Sequence, residues 1–239
     1  EDASVACWGD SQSGISSTPS GSFKQVSVGF AFACGIQMDG MVSCWGDSGR
    51  ITPPPDAFMQ ISAGSTFACG VKSSGELACW GVSVSGRTEP PAGMFKQVSA
   101  GGVHACGLKT DGSVACWGDD LRGMASPPTG KFSQVSVGEY HSCALKEDAN
   151  IVCWGAANIP PTHERAGTYR VISEGRSHAC AVQDDQRVRC WGLDPYGEAT
   201  PPAGEFVHVT VGGSHSCAVG KTALATCWGD DQYGQSTPP

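Results

Sequence analysis

The tripeptide Cys-Trp-Gly occurs seven times, and its recurrence limits the possible folds more than any other property of the chain. The copies start at Cys7, Cys44, Cys79, Cys116, Cys153, Cys190 and Cys227, with successive spacings of 37, 35, 37, 37, 37 and 37 residues. A second phrase keeps step with it. Phe23-Lys-Gln-Val-Ser-Val-Gly leads to Cys34, and equivalents lead to Cys69, Cys106, Cys143, Cys180 and Cys217, each ten residues before a Cys-Trp-Gly cysteine. A fixed period of this size marks a solenoid, propeller or array, in which each unit buries its apolar face against the next.

Within one period the pattern reads as three short strands. Phe95-Lys-Gln-Val-Ser-Ala supplies β-branched and aromatic side chains for a first strand, and Gly101-Gly-Val turns it into His104-Ala-Cys-Gly-Leu-Lys. Thr110-Asp-Gly is a hairpin signal, because glycine accepts the positive φ of a tight turn, and Ser113-Val-Ala-Cys-Trp is the third strand. A polar loop then ends at Pro127-Pro128, which cannot join a ladder and so carries the chain to the next unit. Helical periodicity is absent. Radial stacking of such sheets predicts an all-β propeller in a single domain, 1–239, with a partial repeat at 1–22 and repeats at 23–57, 58–94, 95–131, 132–168, 169–205 and 206–239. Strand direction sorts the connections. The Gly-x-x turns and the loops after Trp-Gly share one face, the hairpins share the other, and the longer, more variable loops make the first the expected working surface.

The thirteen cysteines carry the next inference. With the hairpin centred on Asp39-Gly40, Cys34 and Cys44 oppose each other within disulfide range. Six within-hairpin bonds follow: Cys34–Cys44, Cys69–Cys79, Cys106–Cys116, Cys143–Cys153, Cys180–Cys190 and Cys217–Cys227, with Cys7 unpaired or bonded to another molecule. The rival pairing joins each Cys-Trp-Gly cysteine to the following repeat, Cys7 to Cys34 and so on, and leaves Cys227 over. A regular cysteine ladder without C-x-x-C or Cys/His clusters points to a secreted, oxidised protein rather than a zinc protein. A net charge of −8 with scattered basic residues argues against nucleic acid, and no stretch of 18 apolar residues offers a membrane span.

The phrase Val98-Ser-Ala-Gly-x-x-His-x-Cys-x-Leu-x-x-Asp-Gly-x-Val-x-Cys-Trp-Gly118 resembles the repeats of the regulator of chromosome condensation family. It is closest to the compact branch of propeller-type β-lactamase inhibitors, in a disulfide-rich form. Cysteines opposed in every unit also resemble the extracellular repeats of a plant receptor-kinase family. The resemblance implies a seven-bladed propeller and no single function, since members include an exchange-factor scaffold, inhibitors and receptor ectodomains. In the inhibitor branch, aromatic residues at the two positions after the first-strand glycine bind the partner. Here those positions hold Phe30-Ala31, Ser65-Thr66, Gly102-Val103, Glu139-Tyr140, Arg176-Ser177 and Gly213-Ser214, a departure that leaves Phe30 and Tyr140 as the only aromatic residues.

Each candidate for chemistry has a plainer reading. All seven tryptophans occupy the Cys-Trp-Gly slot, which reads as packing between blades rather than sugar stacking. His104, His141, His178 and His215 share one slot with Phe32 and Phe67, which favours a hydrogen-bonded structural role over a metal or a base. His163 and His208 lie off the pattern. Asp119-Asp120, Asp230-Asp231, Asp10 and Asp47 follow Trp-Gly and read as turn formers before calcium ligands. No catalytic constellation, metal or cofactor is read. The expected partner-binding patch comprises Phe30, Asp47, Asp119, Asp120, Glu139, Tyr140, Arg176, Tyr196, Asp230, Asp231 and Tyr233, and the Ala156–Gly167 loop, with Pro160-Pro161 placed early, breaks the consensus.

These readings predict a secreted, non-catalytic propeller that recognises another macromolecule, most simply a protein, through its loop face. A multivalent lectin and a structural subunit of an extracellular assembly are the alternatives. The chain counts seven third strands and six first-and-second-strand pairs. One account is a seven-bladed ring with one incomplete blade open to self-association. The other is six blades, with residues 1–10 adding an outer strand to one of them.

Overall fold

Alternating apolar residues and a positive-φ residue in each hairpin, glycine in three and Ala149, Gln186 and Ala223 in the rest, give the chain six short antiparallel meanders. The computed structural model describes residues 3–11, 13–17, 19–47, 51–155 and 167–239. Blade one is β1 (Phe23–Val28), β2 (Phe32–Gln37) and β3 (Val42–Gly46). Blade two is β4 (Phe58–Ala63), β5 (Phe67–Lys72) and β6 (Leu77–Gly81), and blade three is β7 (Phe95–Ala100), β8 (His104–Lys109) and β9 (Val114–Gly118). Blade four is β10 (Phe132–Val137), β11 (His141–Lys146) and β12 (Ile151–Gly155). Blade five is β13 (Tyr169–Glu174), β14 (His178–Gln183) and β15 (Val188–Gly192), and blade six is β16 (Phe206–Val211), β17 (His215–Gly220) and β18 (Ala225–Gly229). Every sheet runs first-second-third, and each first strand slips register after its opening aromatic, as between Phe95 and Gln97.

The middle strand of each blade is the most buried, and its cysteine faces the third-strand cysteine. Cys34–Cys44, Cys69–Cys79, Cys106–Cys116, Cys143–Cys153, Cys180–Cys190 and Cys217–Cys227 are all bonded, with Cα atoms 4.0 Å apart, and the rival inter-repeat pairing is not formed. Closing a ring of this size contributes about 3 kcal/mol per bond in the chain-entropy account.

The apolar core is a circle of inter-blade clusters rather than one central mass. Between blades one and two, Phe32, Cys34 and Ile36 meet Phe58, Ile61, Ala68 and Trp80, and the same arrangement recurs between each later pair. The tryptophans are therefore packing residues: Trp45, Trp80, Trp117, Trp154 and Trp191 are all buried. First strands line the axis and touch their neighbours in turn. Polar side chains lock them together. Gln25 accepts from the Ile61 N–H and donates to its C=O, and Gln60, Gln97 and Gln134 do the same to Val98, Val135 and Ile172. Ser27, Ser62, Ser99, Ser136 and Ser173 each accept one further N–H from the following first strand.

At the narrow end of the axis the turn glycines stack. A Cβ on Gly29, Gly64, Gly101, Gly138 or Gly175 would meet the next blade's glycine carbonyl at 2.0–2.4 Å, so no larger residue fits.

Among the described residues the complete sheets number six, the alternative count, where the preferred expectation was seven blades with one incomplete. The outer-strand detail of that alternative is corrected, because among the described residues no sheet has a fourth strand. Residues 3–9 form no strand. They occupy the third-strand place of a further unit between blades six and one, held by bonds that recur at other third strands. Phe23 N–H donates to Ala3 C=O at 3.0 Å as Phe58 does to Gly40, and the Trp8 indole donates to Gln235 C=O at 3.1 Å as Trp228 does to Glu198. Val5 and Cys7 pack on Phe23, Ala33 and Trp45 of blade one. The free cysteine is Cys7.

Candidate functional site

The loop that follows each Trp-Gly is folded by its own side chains. Asp120 accepts from Ala125 N–H and Ser126 Oγ at 2.8 and 2.7 Å, and Asp231 accepts from Ser236 N–H and Thr237 Oγ1, both at 2.8 Å. Asp194 makes the same pair of bonds to Ala199 and Thr200, at 2.7 and 2.6 Å. Asp119 and Asp230 each cap an N–H two residues on. These carboxylates shape loops, as their turn-forming reading expects. Asp194 is hidden in the sequence because Leu193 stands directly after Trp191-Gly192, whereas the loop-folding aspartate is the second residue.

The same scaffold presents the tip of each loop in one orientation. A glycine, Gly123, Gly197 or Gly234, turns the tip by donating to the carbonyl of that aspartate. The residue after the glycine points inward and its carbonyl receives an indole: Met124 from Trp154, Glu198 from Trp228, Gln235 from Trp8. The residue before the glycine points outward. Arg122, Tyr196 and Tyr233 share this outward slot, with exposed Ser85 and half-buried Ser13 at the equivalent place in two earlier loops of the described residues. Arg122 was not singled out from the sequence, although x-Gly-x-x-[Ser/Thr] spacing would have found it.

Two groups emerge from the expected patch. Glu139 and Tyr140 lie in the blade-four turn and Arg176 in the blade-five turn, with Arg176 Nε 2.6 Å from Glu139 Oε2. The Tyr140 hydroxyl is held above its ordinary pKa by a hydrogen bond to Glu139 and by that carboxylate's charge, while Arg176 and Arg122 pull the other way. Arg122, Glu139, Tyr140 and Arg176 thus form one mixed-charge cluster around an aromatic ring. Phe30, in the blade-one turn, is 83% exposed, and Tyr233 sits on the loop that seats against Trp8, so these two flank the open place between blades six and one. Tyr196 projects from the loop seated on blade six. Asp47 lies exposed at the start of its loop, whose next three residues are outside the described set. Leu121 and Leu193, two further exposed apolar residues on this face, were also not anticipated. Residues 156–166, with His163 and the early proline pair, lie outside the described residues.

Inside the ring the histidine slot is structural. His104 Nε2 lies 2.7 Å from Ser142 Oγ and His178 Nε2 lies 2.8 Å from Ser216 Oγ, each partner coming from the following blade. Where the slot holds Phe32 or Phe67, the facing residue is Ala68 or Ala105. His141 faces Ala179, and the missing oxygen is supplied by Glu174, whose Oε2 contacts His141 Nε2. Burial depresses His104 and His178 to a pKa of about 4. Among the described residues one group has metal-like spacing, Cys143, Cys153 and Glu174, and its two sulfurs are joined in a disulfide. At the hairpin end of the axis a shallow depression of about 410 Å³ is lined by Lys96, Gln97, Leu108, Ser133, Gln134 and Arg170, with no acid–base pair. Among the described residues no helix is long and apolar enough to cross a membrane.

The comparisons with known proteins agree with this geometry. The sequence profile of the regulator of chromosome condensation (RCC1) repeat matches residues 60–87, 95–123 and 132–158. The CRINKLY WD40 ectodomain of the Arabidopsis thaliana receptor kinase ACR4 is similar over 98% of this chain and 89% of its own, at TM-score 0.83 and 25% identity. The ectodomain of the Physcomitrella patens receptor kinase CR4 is similar over 96% of this chain and 68% of its own, at TM-score 0.84 and 21% identity. Prp20p from Saccharomyces cerevisiae, studied for its binding to Gsp1p and histones, is similar over 90% and 74%, at TM-score 0.76 and 17% identity. No match was found among curated proteins.

Proposed function

From a disulfide-stapled propeller of RCC1 repeats as the premise, we propose that this chain is a non-catalytic extracellular binding module that recognises a protein through its loop face. One observation carries the reading. Five described loops, each seating the carbonyl after its tip glycine on a tryptophan indole, display three unlike side-chain types at equivalent tips: Ser13 and Ser85, Arg122, and Tyr196 and Tyr233. A repeated small-ligand site would need the same polar and aromatic set in several repeats, whereas an irregular protein surface is matched by unlike anchors. Exposed Phe30, Tyr140, Tyr196 and Tyr233 are residue types that dominate such contacts. Six disulfides support the extracellular placement, as does likeness to two receptor-kinase ectodomains. The buried histidines and Glu174 are engaged in the core, which supports a role without chemistry.

The test is a binding screen against an array of extracellular proteins, with a glycan array beside it. A protein ligand is expected whose affinity falls at least tenfold with Tyr140→Ala or Tyr233→Ala and is unchanged by Asp111→Ala on the hairpin face. Loss confined to the hairpin-face variant would refute the face assignment. Strong multivalent binding on the glycan array would replace the protein reading with the lectin.

A further inference from the structure

The hairpin end of the axis carries a charge opposite to that of the molecule as a whole. The second residue of each first strand stands there: Lys24, Met59, Lys96, Ser133, Arg170 and Val207. Each follows the buried aromatic residue that opens its strand, at the place where the register slips, and each is exposed. The slip takes these side chains out of the ladder. Three of the six are cationic and none is acidic, in a chain of net charge −8. Lys96, Ser133 and Arg170, from blades three, four and five, line the one depression of about 410 Å³ together with Gln97, Gln134 and Leu108.

Further out on the hairpin face, cations are matched by carboxylates. Lys72 lies 2.9 Å from Asp56, Lys131 3.9 Å from Asp111 and Lys221 3.0 Å from Glu205. Inside the depression the balance is different. The Lys96 ammonium has no carboxylate partner among the described residues. Arg170 is held by one edge, its Nε donating to Asp184 Oδ1 at 2.5 Å, which orients the guanidinium and leaves its two terminal nitrogens as donors. Lys96 and Arg170 against Asp184 leave one positive charge. Nothing in the floor can move to offset it, because the Gln97 and Gln134 carboxamides are each committed by two hydrogen bonds to the next blade.

We propose that this depression binds a small organic ester of phosphate or sulfate. The tetrahedral oxyanion accepts hydrogen bonds from the Lys96 ammonium and from the open edge of Arg170, and the carbon skeleton rests on Leu108. Arginine offers a planar fork matched to such an anion, and lysine a point charge on a flexible stem that follows it. The volume falls within the range of small-ligand sites, roughly 300–1,000 Å³. The site is built once, because the equivalent positions on either side hold Met59 and Val207. It lies on the face opposite the loop surface and stands without the loop-face reading.

The probes are glucose 6-phosphate and glucose 6-sulfate, with glucose as the control, titrated into the full 239-residue chain at low ionic strength and followed by amide NMR shifts. One saturable site is expected, with the largest shifts at the starts of β7, β10 and β13. Lys96→Met and Arg170→Met alter exposed side chains, so the variants should fold, and each should weaken binding about tenfold or more. Lys131→Met and Lys221→Met remove the same charge further out and should leave the affinity within about twofold, since water and salt screen distant charges. Saturation by one ester alone would support the proposal and name the ester. Equal binding of glucose would overturn it, as would equal losses in all four variants, shifts centred on the loop face, or no saturable shift with either ester.

Discussion

Among the described residues five pairs of blades pack directly on each other, whereas blades six and one are bridged by residues 3–9, and the difference shows what holds the blades together. In the closed contacts a second strand of one blade is buried by the first strand and tryptophan of the next, and His104, His141 and His178 each find an Nε2 partner about one repeat away. Facing blade six from blade one and the reverse, Val28 is exposed and Cys217 part-exposed, although each is of the same residue type as a buried counterpart, Val137 and Cys180. Burial here is therefore a property of the neighbour, as expected of a quasi-linear repeat protein. Each blade contributes half of every apolar cluster, and none is finished by its own residues.

The largest test of this contrast is acid. His104 is neutral in the fold because burial, and secondarily the nearby His141, lowers its pKa from 6.5 to about 4, and His178 is lowered likewise by burial first. The unfolded chain takes up these protons first. Stability is then present in full above about pH 6.5 and is lost as pH falls through about 4, on the order of 3 kcal/mol for His104 alone. His215, facing the open place, is also lowered by burial but is only partly buried. Denaturant melts from pH 7 to pH 4 should show the loss, His104→Phe should flatten it, and His215→Phe should change it little. The reverse ranking would mean that the open contact, not the closed ones, controls acid stability.

A double-mutant cycle examines one closed contact directly. Ser142→Ala strands the buried His104 nitrogen and should cost about 1–3 kcal/mol. His104→Phe combined with Ser142→Ala recreates the Phe–Ala pairing found between blades one, two and three, so the double variant should be more stable than Ser142→Ala alone. Additive losses would show that these pairs are not interchangeable modules.

What the sequence made legible was whatever repeats inside one unit. The strands, the cysteine pairing and the sorting of loops by face all follow from a single period, and the structure has them, while the hairpin glycine holds in three units and gives way to Ala149, Gln186 and Ala223 in the others. The interactions that join units were harder to see. The pairing of Phe32 with Ala68, or of His104 with Ser142, spans nearly forty residues and becomes visible only when the residue facing each slot is known. Glu174 stands where other blades carry Ala or Val, and nothing along the chain marks it as the substitute partner of His141. The patch on the loop face was gathered from aromatic residues outside the repeated slots. That search found Tyr196 and Tyr233 and overlooked Arg122, which holds the same outward slot with a different chemistry. The place of residues 3–9 was half-legible: the count of third strands exposed the mismatch, but not that Trp8 would seat the loop ending at Thr237.

The smallest expected effect sharpens the comparison at the open place. Ala149 and Ala3 occupy equivalent left-handed positions, at φ 66° and 54°. A non-glycine residue there costs about 1–2 kcal/mol, and glycine's greater freedom in the unfolded chain offsets about half of it. Ala149→Gly should consequently raise stability by about 0.5–1 kcal/mol in denaturant melts. Ala3→Gly gains the same amount only if residues 3–9 stay docked throughout the folded ensemble. This segment is anchored chiefly by Phe23, Trp8 and the packing of Val5 and Cys7, so its gain should be smaller. An Ala3→Gly gain that equals the Ala149→Gly value would show the segment to be fixed without help, and the contrast between closed and open contacts would then rest on exposure alone.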